Sequence, residues 1–361
     1  MNIIVVGSGV IGLNVAAKLS KDHSVRVISS EVNPNTSYSN AGQIVPSHLV
    51  PFANIERSNR FLGSIMSPEN GFLGMENSFE VWRYVLGMRK YKPEISGDLA
   101  HLLRRNSELI EGLPFYHKTG LLEIFVNKEK FKNRNISVKH EVLSPKEVKE
   151  RLPQSTNNIV GGVLYPQDGY INNQEYARYL KNGSYEIIND FVSSWHDSGN
   201  SVEVKGAYND YNCDLIVLAA GASNLLHSSL GVKVLVGQGY GFEIKSPTPF
   251  KQAVILSEVH TSLSYQGRIK VAGRLFVKKN QNSEINYPTI GKMYDELQNY
   301  FDFESHAPER AWTGYRSLSE NGLPIIKKFN RAIVANGHGM LGISLGAVTA
   351  EIVEELVNAT I

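Results

Sequence analysis

Two glycine-rich stretches carry the residue pattern from which chemistry can be argued. "GSGVIG" occupies residues 7–12, directly after the apolar run "NIIVV" at 2–6, and "GHGMLGISLG" occupies residues 337–346, just after Ala332-Ile333-Val334-Ala335. In the first stretch Gly7, Gly9 and Gly12 would divide the work between a tight turn, close approach of backbone to an anion, and close packing of the following helix. Val10 and Ile11 stand in the first turn of that helix, where free N–H groups and the helix dipole attract a phosphate. The stretch predicts a dinucleotide pyrophosphate site, the bland alternative being a structural strand-to-helix turn. The late stretch repeats the logic. Gly339, Met340 and Leu341 head the last helix, where backbone N–H groups stabilise negative charge that develops beside them.

The elements that hold these turns follow from periodicity. "NIIVV", "VIGLNVAAKL" and "VRVIS" (25–29) form a βαβ unit at the N-terminus. An acid belongs about 20 residues past the first turn, near Ser29. Glu31 follows two positions later and reads equally as a ribose ligand or as an exposed loop acid. "CDLIVLAAGAS" (213–223) and "RAIVANGHG" (331–339) read as further buried strands that end in glycine, placing Ala220 and Gly221 at the ligand-binding edge of a sheet. "GLLEIFV" (120–126), "GYGFEI" (239–244) and "RIKVAGRLFV" (268–277) read as antiparallel strands. "LAHLLRRNSELIEGL" (99–113) reads as an amphipathic helix with Leu99, Leu102, Leu103, Leu109 and Ile110 on one face. The fold class expected is α/β. A Rossmann-like nucleotide-binding domain (1–60, 140–228 and 305–361) is interleaved with a mixed, largely antiparallel-sheet domain (61–139 and 229–304).

Bulk properties narrow the partners. A chain of 361 residues with 42% hydrophobic content has room for roughly two domains and a substantial core. Lys and Arg number 37 against 35 Asp and Glu, so no charge excess points to nucleic acid, and a small molecule is the expected partner. The single cysteine, Cys213, excludes an internal disulfide and reads as a small core residue. The first thirteen residues lack the basic start of a signal peptide, and no apolar run reaches the roughly 18 to 20 residues of a membrane span. The expectation is a cytoplasmic protein, at most peripheral to a membrane, with the apolar stretch from Phe72 to Leu86 available to a second subunit or a membrane surface.

Six blocks, taken in order, carry a resemblance: "GSGVIG", "TSYSNAGQIVP" (36–46), "GGVLYPQDGYIN" (161–172), "DLIVLAAGAS" (214–223), "WTGYRSLSENGLPII" (312–326) and "NGHGMLGISLG" (336–346). Together they resemble the FAD-dependent amino acid oxidoreductases, a group containing D-amino acid dehydrogenases, glycine and sarcosine oxidases, and proline or hydroxyproline dehydrogenases. "SNAGQ" with "GHGMLG" is most similar to the D-amino acid dehydrogenase branch.

The resemblance implies FAD, held without a covalent bond. Its pyrophosphate would lie at Gly7, Gly9 and Gly12, and its ring between Ser39, Asn40, Ala41, Gly42 and Gln43 on one side and Gly339, Met340 and Leu341 on the other. The reaction implied is hydride transfer from the α-carbon of a small amino acid to flavin N5, giving an imine, with oxygen or an electron carrier as the final acceptor. Such chemistry needs a cation for the substrate carboxylate, and a guanidinium does this best. Arg316 in "WTGYR" matches the carboxylate-binding position of the family. His338 stands beside the implied ring, and His260 and Tyr265 precede a sheet that roofs the pocket in the family, while Tyr240 in "GYGF" reads as structural. Competing expectations are a glycine or sarcosine-type oxidase, a nicotinamide-dependent dehydrogenase, a flavin-dependent hydroxylase, and a catalytically silent flavin-binding subunit.

Overall fold

A computed structural model describes residues 1–30, 36–47, 55–66, 73–91, 97–134, 136, 138–246, 248–257, 259, 261–281, 284–303 and 307–359. Glu31 and His260 lie outside the described residues.

"NIIVV" forms the strand Asn2–Val6 in a six-stranded sheet of order Glu186–Asn189, Ser24–Ser29, Asn2–Val6, Leu215–Leu218, Ala332–Asn336 and Ile325–Phe329. The first five strands run parallel and the last is antiparallel to its neighbour. The central strands show no polar alternation because both faces are covered. Ile3 and Val5 pack with the helices Val10–Leu19 and Gly342–Asn358. Ile4 and Val6 pack with a three-stranded antiparallel sheet formed by Val192–Asp197, Val202–Gly206 and Asp210–Cys213. Cys213 is buried in that second core, as its type suggests.

The expected antiparallel strands belong to a second, nine-stranded sheet. Its order is Glu309–Leu318, Leu235–Ile244, Ile269–Lys278, Thr261–Tyr265, Ala253–Leu256, Leu121–Phe125, Gly161–Tyr165 and Glu141–Leu143, with Leu73–Met75 pairing on Ile269–Lys278. All but two of the pairings are antiparallel. One face buries Tyr240, Phe242 and Ile244 against Ile290, Met293 and Leu297 of the helix Tyr287–Leu297. The other face carries Gly237, Gly239 and Gly241, which alternate along the strand and so share a side. Sheet membership changes within the spans expected for the nucleotide domain. The strands Glu141–Leu143, Gly161–Tyr165 and Glu309–Leu318 fall inside 140–228 and 305–361, yet they pair in the nine-stranded sheet, a choice of partner that local sequence does not encode. A small sheet of Gln43–Ile44, Gly169–Ile171 and Tyr116–His117 joins the two layers.

The amphipathic helix forms as Gly97–Ile110, with Leu99, Leu103 and Ile110 buried. Leu109 is a correction to the expected apolar face: it is 38% exposed, because six residues beyond Leu103 the helix has turned its side chain well away from the core.

Candidate active site

The first glycine turn is tight enough that backbone meets backbone. A Cβ on Gly7 would collide with the carbonyl oxygen of Ala219 and stand 2.9 Å from its carbon. A Cβ on Gly12 would collide with the carbonyl oxygen of Gly7. Gly9 is the N-cap of Val10–Leu19 and offers no side chain to the helix start, and Leu341 likewise caps Gly342–Asn358 without a side-chain hydrogen bond. The helices Phe79–Gly87, Lys128–Lys132, Pro145–Arg151, Asn173–Lys181 and Tyr287–Leu297 differ, each being capped by a Ser or Asn side chain. Thus, among the described α-helices with a defined N-cap, the two that begin at the glycine turns are the ones whose N-cap residue offers no side-chain hydrogen bond, and in the first of them the Val10 N–H is taken by Ser37 Oγ, which leaves the following N–H groups open to a ligand. Val10 is buried and Ile11 half-buried in the turn that follows.

Residues 36–43 connect these turns. The Val10 N–H donates to Ser37 Oγ at 2.9 Å, and the Tyr315 N–H donates to Thr36 Oγ1 at 2.7 Å, so the short helix Thr36–Ser39 spans from the first turn to the Arg316 strand. Asn40 fixes the following turn. Its Oδ1 accepts from the Gly42 N–H at 2.7 Å, and its carbonyl accepts from Asn173 Nδ2 at 2.6 Å. Ala41 is buried, and Gly42 has φ +67 with no room for a Cβ beside Ile171 O. Gln43 reaches both layers: its side chain donates to Val254 O at 3.1 Å and accepts from Ser262 Oγ at 3.1 Å, while its carbonyl accepts from Ser344 Oγ at 3.0 Å. Ser344 lies in the first turn of the last helix. Ser39, Asn40 and Gln43 are half-buried.

The late turn closes over the end of the Arg316 strand. The Gly339 N–H donates to Ser317 O at 2.8 Å, and His338 bridges Leu318. Gly339 has φ +57 and open space where a Cβ would stand, and Met340 is 41% exposed beside it. Leu341 is half-buried, and its N–H donates to His338 O at 2.9 Å. His338 itself is buried, with Nε2 2.9 Å from Thr349 Oγ1, and burial pushes its pKa down to about 3. It is a neutral imidazole at any ordinary pH. On the strand side, Asn336 Nδ2 donates to Gly221 O at 2.8 Å and tethers the Ala220–Gly221 turn to the same sheet edge.

Arg316 lies on the glycine-bearing face of the large sheet. A Cβ on the neighbouring Gly239 would collide with Nη1 of the guanidinium and stand 2.8 Å from Cζ. Among the described residues its hydrogen bond is a long one, 3.4 Å from Nη1 to Arg274 O, at a bulge where Arg274 takes φ +60. Desolvation alone pulls the Arg316 guanidinium down to about 10, which leaves it protonated at neutral pH. The contrast with Arg274 is informative. Arg274 is buried and neutralised by Glu296 at 2.7 Å, whereas Arg316 has no carboxylate within ion-pair distance among the described residues. Arg316 is half-buried, and a partly buried cation without a counter-ion is a place for an anionic ligand.

Hydrogen bonds therefore tie residues 36–43 to the first glycine turn, to the Arg316 strand and to the head of the last helix, and tie the Gly339 turn to the end of the Arg316 strand, while the His338 ring turns to Thr349. Tyr265 is a correction: it packs partly buried against the core on the helix side of the sheet, sharing a face with Ile269. Tyr240 is also on that side, edge-on to Phe276 at 6.0 Å. Cys213 is remote, and burial pushes its thiol up to about 11. A cavity of about 320 Å³ lined by Lys149, Ser155, Asp302 and Phe303 contains none of these residues. Sequence reasoning missed the floor of the site. Gly239 makes room for Arg316, Gly241 for the Trp312 ring, and Gly314 faces Thr36 at 3.0 Å from a would-be Cβ. The signal was present as glycine at every second residue in "GQGYG".

Comparison with known proteins places this geometry. The family described as FAD dependent oxidoreductase matches residues 2–356. The D-amino acid dehydrogenase of Helicobacter pylori is 24% identical over 392 residues, covering 98% of this chain and 94% of its own length. That of Rhizobium rhizogenes is 22% identical, covering 99% and 96%. Among solved structures, the glycine oxidase of Geobacillus kaustophilus superposes with a TM-score of 0.74 at 17% identity, covering 99% of this chain and 94% of its own. The L-proline dehydrogenase of P. horikoshii superposes with a TM-score of 0.67 at 19% identity, covering 99% and 93%.

Proposed function

The chain belongs to the family of FAD-dependent oxidoreductases, and we propose that within it this protein oxidises a small D-amino acid to the corresponding imine, which water then hydrolyses. FAD, when bound, supplies the acceptor for the hydride that leaves the α-carbon. The observation that carries the reading is the half-buried Arg316 guanidinium, which lies over Gly239 and has no carboxylate within ion-pair distance among the described residues. It would grip the substrate carboxylate through two parallel N–H bonds and so decide which face of the α-carbon is presented.

The other residues have supporting work. Gly7, Gly9 and Gly12 would hold the cofactor's pyrophosphate against the N-terminus of Val10–Leu19, without side chains in the way. The uncapped start of Gly342–Asn358 would place N–H groups beside negative charge accumulating at the opposite end of the cofactor, and Ser39 to Gln43 would line the other wall. The neutral His338 would add a hydrogen-bonding wall rather than a second cation. Cys213, a thiol in a remote core, is not a tether, in keeping with a non-covalent cofactor.

The sequence relatives support the D-amino acid reading, and the likeness in fold to glycine oxidase motivates a second, in which glycine or an N-methyl amine is the substrate and oxygen the acceptor. Anaerobic mixing of the yellow protein with D-amino acids, glycine, sarcosine and the prolines separates them. The proposal expects bleaching by D-amino acids such as D-alanine. Bleaching by glycine and sarcosine alone would transfer the assignment to the second reading, and a protein that no amine bleaches would be a silent flavin-binding subunit.

A further inference from the structure

We propose that the outward face of the helix Phe79–Gly87, together with the turn Met88–Lys90, docks the protein on an anionic lipid surface. This helix is amphipathic in an unusual sense: both of its sides carry large apolar residues. Val81, Tyr84, Val85 and Met88 are buried against Leu275, Val277 and Leu318. On the opposite side, positions 79, 83, 86 and 90 follow at helical spacing and carry Phe79, Arg83, Leu86 and Lys90. Phe79 is 78% exposed and Leu86 46% exposed, so a bulky ring and a branched side chain stand in water with nothing described over them. Trp82 and Arg89 flank the stripe, and the Trp82 indole N–H donates to Asn77 Oδ1 at 3.0 Å.

Charge decides what fits this face. Arg83, Arg89 and Lys90 make no ion pair among the described residues, while the one acid of the helix, Glu80, is engaged by Lys279 at 2.7 Å. A stripe in which basic heads alternate with Phe and Leu, with a tryptophan at its border, matches a helix lying in the headgroup region with apolar side chains dipped and cations at the phosphates. A protein partner would be better served by a contiguous apolar patch with the charges confined to a rim. The docked helix is also short of nothing for stability, since its inner side is fixed by the core and by the Tyr84 hydroxyl, which donates to Ser319 O at 2.9 Å. Ser319 follows the Arg316 strand directly, so the lipid-facing side lies about one helix diameter from the strand that carries the site.

The test is co-sedimentation of the FAD-loaded full chain with phosphatidylcholine vesicles, with and without one-third phosphatidylglycerol. The protein should pellet with the anionic vesicles and stay in solution with the neutral ones, and binding should weaken in high salt. Phe79→Ser with Leu86→Ser should lower the partition coefficient about tenfold, and Arg83→Gln with Lys90→Gln about 30-fold. Neither pair should alter flavin content or melting temperature, because all four side chains face outward. Equal binding to both vesicle types, no binding to either, or unchanged binding by the variants would overturn the proposal. So would light scattering that shows a dimer of the native chain broken by the Phe79 and Leu86 changes, since the face would then belong to a second copy. None of these outcomes bears on the chemistry assigned to Arg316, which the anaerobic bleaching tests separately.

Discussion

Glycine is used in two regions of this molecule for opposite reasons. In the turn at residues 7–12, Gly7 and Gly12 are required because main chain presses on main chain: the carbonyls of Ala219 and of Gly7 occupy the space of the missing Cβ atoms. On the large sheet, Gly239 is required because a side chain, the Arg316 guanidinium, lies over it, while Gly241 is closed in both by the Trp312 ring and by the backbone carbonyl of Val271. A backbone obstacle cannot step aside, whereas a side chain can rotate. The cofactor cradle should therefore fail outright when a glycine is filled, and the substrate floor should fail by degrees.

The largest effect tests the first half of that contrast. Gly12→Val places a branched side chain against a carbonyl held by the first strand and turn. We expect a loss of about 4 kcal/mol or more in stability, seen as insoluble or colourless protein. Flavin content near one per chain with an unchanged melting temperature would show that the turn can open, and the contrast would collapse.

Next in size is Arg316→Leu, the removal of the cation proposed to bind the substrate carboxylate. Because the guanidinium pairs with no carboxylate among the described residues, folding and flavin content should survive, while kcat/KM falls by about 2 to 4 kcal/mol in transition-state binding. Unchanged kinetics in a yellow variant would remove Arg316 from the site. Arg274→Leu is the natural comparison, since it strands Glu296 and should damage stability rather than substrate affinity.

The same contrast explains what could be read from the sequence. The Rossmann-like half was legible because its requirements are local: an apolar run covered on both faces, three glycines at fixed offsets, and a helix directly after them. Its late strand and turn were legible for the same reason. The pairing of Glu309–Leu318 with Leu235–Ile244 was not, since about 70 residues separate them and nothing local encodes the partner. Without that register the alternating glycines of "GQGYG" have no visible purpose, and Arg316 was reached by resemblance alone. The three-dimensional pairing supplies the physical reason that the resemblance lacked.

His338 offers a smaller, pH-dependent test in the cradle half. Its folded-state pKa is depressed to about 3 by burial, against an unfolded value near 6.5, so the unfolded chain binds the proton first. The stability it contributes is fully present above pH about 6.5 and is lost progressively as pH falls toward 3. Linkage sets the slope near 1.4 kcal/mol per pH unit, or about 2 kcal/mol between pH 6.5 and 5. His338→Gln should therefore flatten the fall in melting temperature over that interval, apart from a constant offset for the altered bond to Thr349. Parallel curves for the two proteins would mean that His338 is protonated in the folded state.

The smallest expected effect is the most direct test of the floor. In Gly239→Ala the new methyl meets Arg316 Nη1 and Cζ, the far end of a side chain whose anchoring bond to Arg274 O is long at 3.4 Å. The guanidinium can swing aside, so the fold and flavin content should be retained and the melting temperature should move little. The displaced cation would meet the substrate carboxylate off axis, and KM should rise about tenfold, equivalent to about 1.4 kcal/mol, with a smaller change in kcat. If Gly239→Ala instead unfolds the protein or releases the flavin, the floor is as rigid as the cradle, and the distinction between backbone-limited and side-chain-limited glycines does not hold. If KM does not change, the substrate carboxylate is bound elsewhere, and the result would join an inert Arg316→Leu in relocating the substrate site.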